Sequence, residues 1–394
     1  MKNKVLYLSY TGMMEALGAS QVLNYLYGLA DDFKFYLISL EKEIDFYDIE
    51  KKQKLKELLT QNGIQWYPIL YRNGAKGYPI NFYNVHHLAK ILIKREKIKL
   101  LHCRSYMPAI IAYLLQKRNK KIRYIFDTRG FWFDEKADVG DWSRNRFAYR
   151  FAKRIEKKLY LSASHIVMLS HYGKETIQMN ELFKGGNQLN NITVIATCVD
   201  LNKFHINNNW VEKPKLTIGY VGTAIGWYDF ESTAKVLATI KKQFDFNLLI
   251  FNNGQHDYIR QELAKYKITD YQLEKIQFEN MAERMREIDI SLFFIHPVFS
   301  KRASAATKLG ELLATGIPVI TNAGVGDHEY YIEKHSIGEI IDSNEINNYD
   351  FAEIISKLNN VDCKKRCREV AEKYFSLDKG IESYKTIYQQ LLKE

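Results

Sequence analysis

Short apolar runs alternate with longer amphipathic stretches along the whole chain, a rhythm that predicts an α/β protein. Residues 5–8, 35–40, 64–70, 100–105, 123–126, 165–169 and 193–195 read as buried strands. Helices are expected at 19–30, 48–61, 81–94, 108–118, 144–161 and from Tyr172 onward. After 202–215, rich in Asn and ending Val211-Glu-Lys-Pro-Lys215, a second series begins. It has strands at 216–221, 246–251, 275–278, 290–295 and 318–321, with helices at 230–242, 258–267 and 281–288 between them. The reading is two Rossmann-like, doubly wound domains, 1–201 and 216–376, joined by a 202–215 linker and leaving a cleft between their strand ends. Ile381, Tyr384, Ile387, Tyr388 and Leu391 make 377–394 an amphipathic helix expected to pack back toward the first domain.

Within the second series, 299–333 concentrates the features of a ligand site. Lys301, Arg302 and Lys308 lead into a helix carrying Leu309, Leu312 and Leu313 on one face, and Gly316 ends it. Pro318-Val-Ile-Thr321 follows as a strand, then Gly324-Val-Gly326 and a second helix that Asp327 can cap. Cations and helix N-termini at one end suit a phosphorylated ligand, since unpaired N–H groups and the helix dipole favour anions. An ordinary βα unit with a solvated basic edge gives the same local pattern. In the first series, Gly12 and Gly18 flank the loop after the first strand, six residues apart and unlike a dinucleotide fingerprint. They are expected to let that loop approach a ligand closely. Asp127-Thr-Arg-Gly-Phe-Trp-Phe-Asp-Glu135, after the fifth strand, is the densest cluster of potential chemistry in that half.

Charge sharpens this picture. Of a net +11, residues 1–200 carry 32 Lys and Arg against 19 Asp and Glu, while the remainder carries 25 against 27. The basic half suits an anionic lipid surface or acceptor; it lacks the spacings of a zinc finger or an RNA-recognition motif, so nucleic acid is not expected as a partner. The helix at 144–161 is amphipathic, with Phe147, Phe151, Ile155 and Leu159 recurring every four residues beside Arg146, Arg150, Lys153, Arg154, Lys157 and Lys158. Membrane contact and a packed helix with a solvated basic face both fit. No apolar run is long enough to cross a bilayer, and the first residues read as a strand and not a leader, so the expected location is the cytoplasm, peripherally on the inner face of the membrane if the protein meets lipid. Four scattered cysteines make no disulfide framework, and Cys363 and Cys367 lack the partners of a metal site.

Five motifs in order, SYTGMMEALGASQVLNYLYGL, LLHCRSY, FDTRGFWFDEKAD, VIATCVDLNKF and SAATKLGELLATGIPVITNAGVGD, resemble those of family-4 retaining glycosyltransferases of the GT-B fold, in a bacterial surface-polysaccharide subgroup. The resemblance covers nearly the whole chain. It implies a nucleotide-sugar donor held by the second domain, a glycan or polyprenyl-phosphate-linked acceptor held by the first, and no metal or other cofactor. Glu311 matches the second glutamate of the family's E-x7-E pattern, which accepts hydrogen bonds from the nucleotide ribose. The backbone at Thr307 and Lys308 would meet the diphosphate, with Gly18, Gly222 and Thr223 in loops on the ligand side. Two departures stand out. The first glutamate of the pattern is replaced by Ala303, and GTAIGWYDF after the first strand of the second domain lacks the Arg and Lys that neutralise the diphosphate. Lys301, Arg302 or Lys308 is expected to take that role.

Many relatives carry a histidine near the end of the 123–126 strand; here Asp127 and Arg129 stand there, with His102 on the preceding strand. The catalytic expectation is therefore Asp127 orienting or deprotonating the acceptor, Arg129 holding it or the phosphate, Lys308 stabilising the leaving group, and Asp134 and Glu135 in reserve. A nucleotide-sugar epimerase and a non-catalytic partner subunit are the alternatives on the same fold.

Overall fold

The computed structural model describes residues 2–180, 189–207, 211, 213–277 and 279–393. The chain divides into two units, Met1–Ala196 with Leu377–Glu394, and Thr197–Ser376.

The first unit is built on a seven-stranded sheet: β1 (Asn3–Ser9), β2 (Phe33–Glu41), β3 (Ile64–Leu70), β4 (Leu100–Arg104), β5 (Arg123–Asp127), β6 (His165–Met168) and β7 (Ile192–Val194). Their order is β3-β2-β1-β4-β5-β6-β7, with every neighbouring pair parallel. β1, β2 and β4 are buried nearly end to end, as expected for strands covered on both faces by helices. The order reverses between β1 and β4, so the loops leaving their carboxyl ends part at that point and open a crevice. Ser9 pairs with Arg104 there, and Arg104 with Asp127 on β5.

The helix Leu377–Lys393 belongs to this unit. Tyr384, Ile387, Tyr388 and Leu391 are buried on it, and Ile381 lies against Gly28, where an added Cβ would stand 2.4 Å from the Ile381 Cδ1. Lys385 pairs with Asp32 at 2.8 Å at the edge of this contact.

The second unit carries six strands, β8 (Leu216–Val221), β9 (Phe246–Phe251), β10 (Gln272–Glu274), β11 (Ile290–Leu292), β12 (Val319–Thr321) and β13 (Gly338–Ile340), in the parallel order β10-β9-β8-β11-β12-β13. Its switch point lies between β8 and β11.

Several expectations shift. The fourth residue of the expected 275–278 strand lies outside the described residues, and the paired strand is β10, three residues earlier. The edge strand β13 is only half-buried and gave no apolar run to read. The crossover comes at Ala196–Thr197, ahead of residue 201, because Val199 donates its N–H to the Phe375 carbonyl at 2.7 Å and Thr197 Oγ1 reaches the Ala305 carbonyl at 3.2 Å. The described part of 202–215 is not a free linker. Arg368 donates to the carbonyls of Phe204 (2.8 Å), Ala314 (3.1 Å) and Leu201 (3.3 Å), and Phe204 is buried. Residues 208–210 and 212 lie outside the described part.

Candidate functional site

In the second unit the site grows from the carboxyl end of β8. Gly222 follows the strand with φ +99°, a conformation that favours glycine. A Cβ there would lie 3.3 Å from both Cε and Nζ of Lys308, so the lysine's end rests directly on the loop. Asn252 Nδ2, from the end of β9, holds the Gly222 carbonyl at 2.9 Å and the Gln255 side chain at 2.7 Å. Gln255 Oε1 in turn accepts from the Thr223 hydroxyl at 3.3 Å. Thr223 is thereby a loop-fixing residue, its side chain turned to Gln255.

Lys308 is the second residue of the helix Thr307–Ala314. Its side chain is buried, and Nζ lies 3.7 Å from the Tyr228 ring centroid, 4.7 Å from Tyr220 and 5.3 Å from Phe293. Among the described residues Nζ has no hydrogen-bond partner. An ammonium costs several kcal/mol to bury without a hydrogen-bond partner, and a ring face offsets only about 2 kcal/mol of that. Burial accordingly pulls the Lys308 pKa down to about 7, against the opposing pull of Glu311. One turn along, Glu311 is half-buried, and burial pushes its carboxyl up to about 7 against Lys203 and Lys308. Ala306, at the N-cap, brings no side chain to the first N–H groups of this eight-residue helix.

The other expected cations are placed differently. Lys301, in the turn Phe299–Ala303, is buried with Nζ 3.8 Å above the Trp227 ring, and Arg302 stacks on Phe299 at 5.3 Å. Trp227 and Tyr228 are thus consecutive ring platforms, each carrying a lysine, which the sequence did not advertise. Ala303 is itself buried. His328 was also missed. It opens the helix His328–His335, is buried with neither ring nitrogen hydrogen-bonded among the described residues, and faces the Phe293 ring edge-on at 6.0 Å. Burial lowers its pKa to about 4, so the ring is neutral.

In the first unit, the loop after β1 is folded by Glu41. This buried carboxylate at the end of β2 accepts from Met13 N (2.9 Å), Met14 N (3.2 Å) and the Ser39 hydroxyl (2.5 Å). Gly18, expected to admit a ligand, instead admits the chain itself: a Cβ there would stand 1.9 Å from the Gly12 carbonyl oxygen. That is a correction, and its cause is the tight return of the following helix over its own loop.

Asp127 is 1% exposed at the end of β5. Its Oδ2 lies 3.3 Å from the Tyr384 hydroxyl, 3.5 Å from His102 Nε2 and 3.8 Å from Arg104 Nη1, and Arg129 Nη1 lies 3.8 Å from Oδ1. Burial pushes the carboxyl up, but Arg129, His102 and Arg104 outweigh it and hold it below the ordinary carboxylate range. A carboxylate so enclosed and so weakly basic does not suit the general-base role expected for Asp127. His102 is held neutral by burial, with Nδ1 2.6 Å from the Tyr388 hydroxyl. Asp134 is committed too, accepting from Tyr149 (2.6 Å) and Lys153 (2.8 Å) in the floor under the helix Phe147–Ser162. That helix buries Ala152, Glu156, Leu159 and Tyr160, while Phe147 and Phe151 remain 74% and 52% exposed. The apolar stripe read from the sequence is therefore split between core and solvent.

Two family profiles divide the chain between them, Glycosyltransferase Family 4 over residues 29–203 and Glycosyl transferases group 1 over residues 202–374. Among curated protein sequences none matches. Solved structures match over nearly the full length. The sucrose-phosphate synthase of Thermosynechococcus elongatus superposes with a TM-score of 0.75 at 14% identity, covering 100% of both chains. Anabaena HepE in complex with UDP gives 0.68 at 13% identity over 98% of this chain and 100% of its own. WaaG, a glycosyltransferase involved in lipopolysaccharide biosynthesis, gives 0.63 at 13% identity over 96% and 98%. At such identities these structures speak for the fold.

Proposed function

Since the chain belongs to the glycosyltransferases of family 4 and group 1, with the GT-B fold, we propose that it is a retaining enzyme moving a sugar from a nucleotide-sugar to a lipid-linked or polysaccharide acceptor in cell-surface glycan synthesis. The observation that carries the reading is Lys308 Nζ, without a hydrogen-bond partner among the described residues and set against Gly222 beside a helix N-terminus with no side-chain cap. Its contact with Gly222 supports the reading that it takes over from the Arg and Lys that the family resemblance asks for after β8 and the sequence lacks. A donor diphosphate there gains a cation and backbone N–H groups, and both stabilise the charge that grows as the sugar leaves. This supply of positive charge supports transfer that persists in EDTA. UDP and UDP-glucose complexes of the Anabaena protein support a uridine nucleotide as the first donor to test. Its own leaving oxygen can then take the acceptor proton on the same face, which leaves the enzyme with positioning and charge stabilisation. The anomeric configuration of the product, read by proton NMR, tests retention: inversion overturns it.

Glu311 is the ribose acceptor in this scheme. Hydrogen bonds to a charged group contribute about 1.5–3 kcal/mol. Glu311→Gln is therefore expected to weaken UDP binding about 10- to 100-fold in calorimetry without lowering the melting temperature. Unchanged affinity would remove Glu311 from the site.

Among the described residues no helix is long and apolar enough to cross a membrane. Membrane contact is proposed instead through the helix Phe147–Ser162, where the exposed, stacked rings of Phe147 and Phe151 stand beside exposed Arg146, Arg150 and Arg154. The protein is expected to sediment with vesicles containing phosphatidylglycerol and not with phosphatidylcholine alone. Phe147→Asp with Phe151→Asp should lower the bound fraction several-fold; equal sedimentation of both proteins would refute the contact.

A further inference from the structure

Arg104 and Arg129 form a second charged centre that the donor chemistry does not use. Arg104 ends β4 at the switch point, in register with Ser9 of β1, and Arg129 lies two residues past β5. Their side chains are only 7% and 14% exposed. Each approaches the one carboxylate between them, Asp127, no closer than 3.8 Å, which is ion-pair and not hydrogen-bond distance. Burial acts most strongly on both guanidiniums; after it, Arg104 feels Arg129, Tyr7, Asp127 and Tyr384, and Arg129 feels Asp127, Tyr384, Tyr25 and Tyr7. Among the described residues two guanidiniums face one carboxylate, burial pulls His102 toward its neutral form, and a positive charge is left over in a nearly closed place.

The backbone adds an independent observation. Ser105, directly after Arg104, has φ +73°, and Arg129 itself has φ +57°. Neither is glycine, and such left-handed corners persist only where the surroundings enforce them. The first bend follows β4 at the β1–β4 reversal, and the second follows its neighbour β5. A cluster serving stability alone gains nothing from a surplus like charge held between strained corners, because an unpaired buried charge is destabilising. A bound oxyanion resolves the imbalance, and two guanidinium forks are the donors that match its geometry.

We propose that Arg104 and Arg129 form a receptor for a phosphate or carboxylate borne by the acceptor, with Asp127 holding the two guanidiniums in place until that group arrives. The proposal rests on reading the first unit as the acceptor side. It makes the acceptor an anionic molecule, and Asp127 a positioning residue.

The test uses the full chain saturated with UDP, so that an added anion meets the first unit only. Octyl phosphate, inorganic phosphate and octyl glucoside are titrated by calorimetry. Binding of octyl phosphate and not of octyl glucoside is expected. Inorganic phosphate binding as tightly as octyl phosphate would assign recognition to the anion alone; weaker binding would add an alkyl contribution, and both support the receptor. Arg104→Lys and Arg129→Lys, which keep the charge but lose the fork, should each weaken octyl phosphate at least tenfold. Asp127→Asn removes the competing anion and should tighten it or leave it unchanged. Absence of octyl phosphate binding, indifference to both lysine variants, or a tenfold loss in Asp127→Asn would overturn the proposal. Should UDP itself fail to bind, the donor reading fails separately, and the titration is repeated on Lys308→Met so that the Lys308 ammonium cannot capture the added anion.

Discussion

Lys308→Met is expected to leave a folded protein whose transfer rate is lower by about two to three orders of magnitude, the scale of losing one preorganised charge partner of a leaving group. Methionine keeps the buried stem out to Cε and removes only the Nζ that lies over the rings of Tyr220, Tyr228 and Phe293, so packing changes little. The native lysine is costly. Its pKa lies near 7 and not at the ordinary 10.5, so between those values the unfolded chain holds a proton that the folded chain lacks. Stability then rises with pH across that window through this group, and the rise should be missing from the variant's melting curves. Glu311 acts in the opposite sense at lower pH. Its folded pKa, raised from 4.5 to about 7, makes the native state the tighter proton binder between those values, so its contribution falls as pH rises through them.

Ligand binding adds a sharper readout. A diphosphate beside Lys308 favours the ammonium, so UDP binding at pH 8 should take up close to one proton, measured by calorimetry in buffers of different ionisation enthalpy. The variant should take up none. A native protein that binds UDP without proton uptake, or a variant retaining more than a third of the native rate, would remove Lys308 from the donor site.

The second large effect belongs to the C-terminal helix. Tyr388→Ala is expected to cost about 3–5 kcal/mol, the range for deleting a buried aromatic ring. Tyr388 is fully buried, packs edge-on against Phe33 at 5.1 Å, and brings its hydroxyl 2.6 Å from His102 Nδ1. Tyr388→Phe keeps the ring and strands that nitrogen, so about 1–3 kcal/mol is expected. In urea the first unit should unfold at lower denaturant in both variants. If the units melt apart, the transition of the second should stay where it was. A cost below about 1 kcal/mol for Tyr388→Ala would mean that the helix is not docked as described.

The sequence by itself determined the α/β class, the two βα series and most strand positions, because fully buried parallel strands must be apolar runs and leave a signal that needs no partner to be read. It marked Glu311 and Lys308 through a local motif, and the amphipathic last helix through its stripe. Elements whose signal lies elsewhere in the chain were missed. β13 is half-buried and defined by its pairing with β12, and the crossover at Ala196–Thr197 is set by the contact of Val199 with Phe375, far along the chain. Side-chain roles depended most on the tertiary structure. Of three neighbouring cations, only packing decided that Lys301 rests on Trp227, Arg302 on Phe299 and Lys308 on Gly222. Asp127 read as a base from its place at a strand end, but Tyr384, 257 residues away, and two arginines enclose it and hold its proton affinity down. Charge, burial and partner distance set what a carboxylate does, and those exist only once the chain has folded.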